Sequence, residues 1–564
     1  MSNIIIVQCM STGINYVQDI IDRNHNPIIL ELKLQNDSDE ARHYLEEVRS
    51  CYDLIDNDFE LIYEKDSYEE TLEMVKAYDP LLIVPGTEEG VILATKLSND
   101  LNLLCNPIEN IDAMTLKDEM HNRLAENGLR YIKGSVVKSV EEAIDYYERE
   151  GLKKVVVKPV YSAASVGVKI CMNKQEMIRD IDELFSLKGV YGNDINGILI
   201  QEFIDGVEYV VNTVSCKGIH RVTTIWKYNK VNTSEGGHIY DYDETVDELS
   251  LGESELVEYA YDVCDALGIQ YGPVHGEYMV DENGPVLIEV NCRPHGGNLE
   301  ANFLDKISGQ HETDSCLDSY LNPDKFNHER KKKYELFAKG VIKSFIVPKD
   351  MIAKSAPIEN ISTKLKSHYK TMITQITEVQ PFLKTQDLET SCGDVYLVHE
   401  DPYQVYKDVN LLRDIERKAF QLVLSEEDDN EIPVEQDEIY RDIESLCNQA
   451  TTYGTGLLVT DNVFEDLNIL QVSPENIKEL NGKFDCVIVN LNKSLLDIQD
   501  YGTVSIFLEI LDKVKVGGLI IVPKTTYEFM PNSRVGAEAL IKSLDLKIEL
   551  PLHHMPRMII ASKR

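Results

Sequence analysis

Gly272–Gly297 reads GPVHGEYMVDENGPVLIEVNCRPHGG. Two apolar, β-branched runs flank Asp281-Glu282-Asn283-Gly284, a sequence suited to a tight hairpin turn. Side chains alternate along a strand, so His275, Glu277 and Met279 share one face, and Leu287, Glu289 and Asn291 share a face of the next strand. Folding the hairpin brings Glu277 beside Glu289 and Asn291. Two carboxylates and an amide oxygen are hard ligands suited to Mg2+. Glu289 interrupts the apolar run Val286-Leu287-Ile288 … Val290, and two acids buried together without a cation would be costly. The alternative is a hairpin with these faces turned to water. Arg293 follows two residues after Asn291. A guanidinium there can fork onto a substrate carboxylate, steady phosphoryl charge, or simply pair at the surface. His295-Gly296-Gly297 closes the loop.

Upstream, Val155–Val168 reads VVVKPVYSAASVGV. Lys158 ends an apolar strand, and a small, polar loop follows through Ser162, Ser165 and Gly167. Small residues let backbone N–H groups approach phosphate oxygens, while the lysine adds a point charge. The GxxxxGK[ST] pattern is absent, so this is not a Walker A loop. Ile198–Ser215, ILIQEFIDGVEYVVNTVS, runs an apolar strand into Gln201-Glu202-Phe203-Ile204, turns at Asp205-Gly206 and restarts at Glu208. A connector of this kind can read an adenine edge, with Glu208 accepting from ribose hydroxyls; alone, it is equally a β-turn with a surface acid. Lys117, at the start of a helix, would alone pass as a surface lysine.

The wider chain is α/β. Residues 1–110 alternate strand and helix, with strands at Asn3–Cys9, Pro27–Leu32, Leu81–Val84 and a short one at Leu103–Asn106, which argues a parallel sheet. The turn Ser11-Thr12-Gly13 reads as a plain β–α turn. Residues 111–200 form a second α/β unit, with helices at Leu116–Asn127 and Val140–Glu150 and strands at Lys154–Pro159 and Gly167–Met172. Residues 201–425 hold longer strands and a closing helix at Asp408–Phe420. SEEDDNEIPVEQDE (425–438) is acidic and poor in large apolar residues, which marks residues 426–439 as a linker. Residues 440–564 alternate again: a strand at Phe484–Asn490, a helix at Val504–Val514, a strand at Gly518–Val522, a helix at Val535–Leu544, and a terminal hairpin from Lys547–Leu550 and Arg557–Ala561.

Composition narrows the class of function. The 564 residues carry a formal net charge of −41, with 43 % hydrophobic and 27 % charged residues. So acidic a chain repels phosphate backbones and anionic lipid surfaces, so neither nucleic acid nor membrane is an expected partner. An anionic small molecule can still be held by a local cluster of Lys, Arg, backbone N–H and metal. The 11 cysteines form no CxxC pair and read as buried free thiols of a reducing cytoplasm. MSNIIIVQCM lacks the pattern of a signal peptide, and no apolar stretch approaches the ~18 residues of a membrane span.

Taken together and in order, these pieces resemble the ATP-grasp superfamily. Lys117 and Lys158 resemble its two nucleotide lysines, Tyr161–Gly167 its phosphate loop, Gln201–Glu208 its adenine and ribose hinge, and Glu277, Glu289 and Asn291 its metal triad. The likeness covers residues 1–425 as N-terminal domain (1–110), small domain (111–200) and catalytic domain (201–425). Within the superfamily, EYVVNTVS, GIHRVTTIWKYNK, GPVHGE and RPHGG look most like the L-amino-acid ligase group. That resemblance implies ATP and Mg2+ (Mn2+ as a second option), with small-molecule acid and amine substrates. It also implies an acyl phosphate steadied by Arg293, His275 assisting or lining the site, and a homodimer by default. Glu88 and Glu89 would bind a substrate ammonium, or simply answer a helix dipole; Gly296 and Gly297 would line the substrate side. Gln201 stands where the superfamily usually has Glu; its amide oxygen can still accept from an adenine amino group. Phe484–Arg564 resembles the second half of a class I methyltransferase, a Rossmann-like α/β domain. The half that should bind cofactor is poor, so a degenerate accessory domain is expected. The alternatives are a bifunctional ligase and methyltransferase, or a non-catalytic nucleotide-binding scaffold.

Overall fold

The computed structural model describes residues 1–34, 38–160, 167–186, 195, 197–232, 238–247, 249–329, 333–347, 362–363, 365–373, 384–386, 390–419, 455–460, 469–473, 476–477, 480–490, 510, 512–523, 546–548 and 558–563. Four sheets follow one another along the chain. β1 (Asn3–Val7), β2 (Asn26–Glu31), β3 (Glu60–Tyr63) and β4 (Pro80–Pro85) form a parallel sheet in the order β3-β2-β1-β4. Parallel neighbours need crossovers, and the helices Asn15–Asp22, Asp39–Tyr52 and Tyr68–Ala77 supply them. Ile4 and Ile6 pack against Tyr16 and Val17, while Ile5 and Val7 pack against Val75 and Leu97, so both faces are covered. The strand expected at Leu103–Asn106 does not form. There the Asn106 side-chain oxygen accepts from the backbone N–H of Gln270 and Tyr271, a side-chain bond standing in for a ladder.

The turn Ser11-Thr12-Gly13 does more than join a strand to a helix. Ser11 Oγ accepts from Asn298 N at 3.1 Å, Thr12 Oγ1 from Leu299 N at 2.9 Å, and Asn15 Nδ2 donates to Leu299 O at 2.8 Å. The turn thus clasps the chain just after Gly297. Gly13 also lies against the loop after β4: a Cβ there would come within 2.3 Å of the Gly86 carbonyl oxygen. Gly13→Ala is therefore expected to cost about 1–3 kcal/mol, read as a lower urea-unfolding midpoint; an unchanged midpoint would show that the two loops part freely.

The helices Ile111–Thr115 and Lys117–Glu126 place Met114, Met120 and Leu124 in one core with Leu256 and Val263 of the helix Leu251–Leu267. β5 (Gly134–Val137), β6 (Val155–Pro159), β7 (Lys169–Cys171) and β8 (Ile198–Glu202) form a small antiparallel sheet in the order β5-β8-β6-β7. Val155, Val157, Ile198 and Ile200 pack on the helices Val140–Glu150 and Lys174–Ser186. Alternation then sends Lys158 and Gln201 to the opposite face.

β9 (Val207–Cys216), β10 (Ile219–Asn232), β11 (His238–Thr245), β12 (Tyr271–Asp281), β13 (Gly284–Asn291), β14 (Lys339–Ser344), β15 (His368–Ile373) and β16 (Gly393–His399) make the large sheet. Its order is β13-β12-β9-β10-β11-β14-β16-β15. The hairpin of β12 and β13 pairs His275 with Asn291 and Glu277 with Glu289. A bulge then shifts the register, so that Tyr278 faces Leu287. The bulge corrects the simple alternation: Leu287 turns into the core with Tyr278 and Val290 and does not share the face of Glu289 and Asn291. Arg130 holds the turn with two bonds of 2.7 Å to Asp281. The closing helix begins earlier than expected, spanning Pro402–Ala419.

β17 (Gly456–Thr460), β18 (Leu470–Val472), β19 (Phe484–Asn490), β20 (Val514–Pro523), β21 (Leu546–Ile548) and β22 (Met558–Lys563) form the last sheet, in the order β18-β17-β19-β20-β22-β21. The first four run parallel, and β22 is antiparallel to both of its neighbours, forming the expected terminal hairpin with β21. The linker 426–439 and the helix expected at Val535–Leu544 lie outside the described residues. Of the helix expected at Val504–Val514, only 510 and 512–514 are described, and Val514 opens β20. Among the described residues every cysteine is a free thiol, and no helix is long and apolar enough to cross a membrane.

Candidate active site

Glu289 is the centre of a charged cluster. Lys117, the first residue of its helix, brings Nζ to 3.0 Å from Glu289 Oε2, and Lys158 from the small sheet approaches the same oxygen at 3.9 Å. Burial pushes the Glu289 carboxyl up, but the two lysines outweigh it and bring it to about 2. Lys117 is held charged by Glu289 and Glu88 against its own burial. Lys158 is pushed down, by burial and by the like charge of Lys117. Glu277, opposite Glu289 on the hairpin, is raised to about 7 by burial and by Glu289.

The Asn291 amide lies between two acids. One end is 3.4 Å from Glu289 Oε1; the other is 2.9 Å from Glu88 Oε2, to which it can donate when its nitrogen is turned that way. An amide has a single donor end, so in either orientation an oxygen of Asn291 faces a carboxylate. Such crowding of hard oxygens suits a divalent cation. Among the described residues no group of three or more His, Cys, Asp or Glu side chains is placed to hold a metal ion. Mg2+ is commonly held by only one or two carboxylates together with substrate phosphates.

Glu88 enters from the loop after β4, and its Oε2 lies 4.0 Å from Arg293 Nη2. Burial raises it to about 7, against the pull of Lys117 and Arg293. Its neighbour Glu89 stands at the N-cap position of the helix Gly90–Asp100 without a side-chain capping bond, and its carboxylate meets the Tyr44 hydroxyl. The Arg293 loop is held on several sides. His295 N donates to Glu312 Oε2 at 2.6 Å, Tyr396 OH donates to Gly297 O at 2.7 Å, and Thr12 Oγ1 donates to Gly296 O at 3.4 Å.

Gln201 is 3 % exposed, and its Nε2 has no hydrogen-bond partner among the described residues. Glu202 Oε1 accepts from Lys133 N at 3.0 Å, and Phe203 N donates to Lys154 O at 3.2 Å, so the chain leaves regular strand geometry around Ile204. Glu208 Oε2 pairs with Lys230 Nζ at 2.7 Å, a partner the sequence pattern does not announce. Ser162 and Ser165 lie outside the described residues. Gly167 is described, with φ +74°, and a Cβ there would press on Pro159 at 3.1 Å. His275 bonds Glu277 Oε1 through Nε2 at 3.2 Å and Asn212 Oδ1 through Nδ1 at 2.9 Å. Asn212, Lys230, Tyr228 and Glu312 are the residues near the site that sequence reasoning did not single out. The polar Asn212 within the apolar run of β9 was the one available signal.

A parallel sheet, a small antiparallel sheet and a large antiparallel sheet, in this order along the chain, are consistent with the ATP-grasp fold. Residues 152–302 match the family model described as an ATP-grasp domain. The chain is 26 % identical over 365 residues to dapdiamide A synthase of Enterobacter agglomerans, over 64 % of this chain and 84 % of that one. L-amino acid ligase from Bacillus licheniformis superposes with a TM-score of 0.56 at 16 % identity, covering 73 % of this chain and 97 % of that one. N5-carboxyaminoimidazole synthetase from Staphylococcus aureus, complexed with ADP, gives 0.51 at 11 % identity, covering 74 % and 98 %.

Proposed function

We propose that the chain is an ATP-dependent carboxylate–amine ligase acting on amino-acid or small peptide substrates. In this reaction an acid is phosphorylated by ATP to an acyl phosphate, and an amine displaces the phosphate, leaving an amide, ADP and phosphate. The observation that carries this reading is the meeting of Lys117 and Lys158 at Glu289, one cation from a helix start and one from the small sheet, beside hard oxygen ligands. A triphosphate with its divalent cation suits that arrangement. The names of two relatives, a synthase and an L-amino acid ligase, point to the same chemistry.

In this reading Lys117 and Lys158 hold phosphate oxygens, and Ser162, Ser165 and Gly167 belong to the loop that covers them. Glu277, Glu289 and Asn291 hold Mg2+, with Mn2+ as a second candidate. The bound ion would neutralise charge on the phosphates. Gln201, Glu202 and Ile204 read the adenine edge, and Glu208 faces the ribose while keeping Lys230 as partner. Arg293 steadies the acyl phosphate, and Glu88 lines the substrate side together with Gly296 and Gly297. His275 stays neutral, because burial and the Arg293 cation push its pKa well down. The proposed units are residues 1–110, 111–200, 201–425 and 440–564; the apolar side chains of the helices Ile111–Thr115 and Lys117–Glu126 share a core with the helix Leu251–Leu267. The last sheet, with antiparallel β22 inserted beside parallel β20, supports a degenerate methyltransferase-like domain used for docking, dimerisation or substrate capture. A cytoplasmic homodimer completes the proposal.

The test is phosphate release from ATP and Mg2+ against amino acids offered singly and in pairs, with mass spectrometry of each mixture. The expected result is release that needs an acid and an amine together, with a product mass equal to their sum minus water. ATP that fails to bind at all would sink the reading.

A further inference from the structure

Gln201 lies near the end of β8, where the register sets it opposite Gly134 of β5 on one side and Val156 of β6 on the other. Lys158, two residues along β6 from Val156, shares this face and stands on the diagonal from Gln201, about 7–8 Å away along the sheet. A Cβ at Gly134 would come within 2.8 Å of Gln201 Cγ, so the glycine leaves the room that the Gln201 stem fills. The next hinge side chains are committed elsewhere: Glu202 Oε1 accepts from Lys133 N at 3.0 Å, and Lys154 Nζ sits 3.4 Å over the Phe203 ring. Gln201 is buried, and its Nε2 is left without a hydrogen-bond partner among the described residues.

A buried N–H that stays unpaired is costly, and such groups normally find a partner. Lys158, which meets Glu289, marks the phosphate end of this face; the unmade bond of Gln201 lies further along it, where the rest of a bound nucleotide would extend. An amide presents one accepting and one donating end side by side. Adenine carries the complementary pair on a single edge, the N6 amino group as donor and N7 as acceptor, and a glutamine amide meets both at once. A carboxylate in this place would accept from N6 but set an oxygen against the N7 lone pair. A purine with oxygen at position 6 offers two acceptors on that edge, so whichever way the amide is turned its oxygen faces one of them.

We infer that Gln201 is the specificity residue for the nucleotide base and holds adenine at two points, accepting from N6–H through Oε1 and donating to N7 through Nε2. The N7 bond gives the orphaned Nε2 its partner, and the pair of contacts selects adenine over 6-oxopurines. This rests on the proposed binding of ATP, and on nothing about the acid or the amine.

The experiment is calorimetric titration of the full chain, with Mg2+ and without acid or amine, by three nucleotides: ATP, 7-deaza-ATP, in which a C–H replaces N7, and ITP, which carries oxygen at position 6. The expected result is a Kd roughly tenfold higher for 7-deaza-ATP than for ATP, and at least roughly tenfold higher for ITP. In Gln201→Glu, ATP should bind more weakly, and ATP and 7-deaza-ATP should bind alike, because the donor to N7 is gone. Gln201→Met, which removes both ends of the amide without adding charge, should likewise bind ATP and 7-deaza-ATP alike. Equal affinity of the wild-type chain for ATP and 7-deaza-ATP would overturn the inference without any variant being needed. So would a preference for ATP over 7-deaza-ATP that persists undiminished in both variants, since another donor, such as Lys158, would then hold N7. A chain that binds none of the three nucleotides would remove the ATP reading and this inference together. Two-point reading of adenine in a chain that ligates no acid–amine pair would remove the ligase reading and leave this one standing.

Discussion

Glu289→Gln is expected to lower ATP-dependent phosphate release by roughly 10²–10³-fold or more while leaving a folded protein that still binds ATP. The substitution keeps the size of the side chain and removes only its charge. Glu289 is the point where Lys117 and Lys158 meet, so its loss leaves two buried ammonium groups without the carboxylate they share, and Lys117 with only the weaker pull of Glu88 and Glu277. Breaking a buried pair in this way costs about 3–5 kcal/mol, and the unfolding midpoint of the variant without ligand should drop accordingly. The same lysines are the groups proposed to hold triphosphate. ATP should therefore restore more stability to the variant than it adds to the wild type, because it returns the missing negative charge. A purely structural Glu289 would give the drop in midpoint without the loss of turnover. Turnover unchanged in Glu289→Gln would remove the metal assignment outright. The pairing of a larger ATP-induced shift with a lost reaction separates phosphate binding by the lysines from catalysis at the hairpin.

What could be read from the chain depended on how far apart the interacting residues lie. Glu277, Glu289 and Asn291 sit on two strands joined by a short turn, so strand alternation alone brings them close. Lys158 and Gln201 reach one face of the small sheet by the same rule. Alternation fails at Leu287, because the bulge after Glu277 adds a residue that no local pattern reveals. Glu88 and Glu89 are indistinguishable as neighbours; which one enters the cluster is set by the start of the helix at Gly90. Asn212 was visible as a polar residue in an apolar strand. Its partners lie 63 and 83 residues downstream, however, and meet it only because the sheet order places β12 beside β9. The clasp of Ser11 and Thr12 on Asn298 and Leu299 spans 287 residues and belongs to tertiary packing alone.

A second long-range contact makes a prediction about stability and pH. His311 Nε2 lies 3.1 Å from Asp19 Oδ1, on the helix Asn15–Asp22, and His311 Nδ1 lies 2.8 Å from Asp305 Oδ1, on the helix Ala301–Ser308. Both ring nitrogens face carboxylates, so both must carry protons and the ring is a cation. Burial opposes that charge, but the bonds to Asp19 and Asp305 prevail and raise the pKa to about 10. Thr313 Oγ1 adds a bond of 2.6 Å to Asp19 Oδ2. The bridge ties the first parallel sheet's helix layer to the segment that follows the Arg293 loop. His311→Gln should therefore cost about 3–5 kcal/mol near pH 6, since it strands Asp19 in the interior. The folded chain holds the His311 proton up to about pH 10, while an unfolded chain releases it near 6.5. Between those values the folded state binds more protons, so the stability contributed by His311 is complete below the unfolded value and declines as pH rises, by at most about 1.4 kcal/mol per pH unit. The difference between wild type and His311→Gln should consequently be widest near pH 6 and close as pH passes through 10. Urea unfolding followed by the fluorescence of Trp226, the one tryptophan in the chain, measures it. A difference of equal size at both ends of the range would mean that the ring is neutral, and that Asp19 is held in place by Thr313 instead.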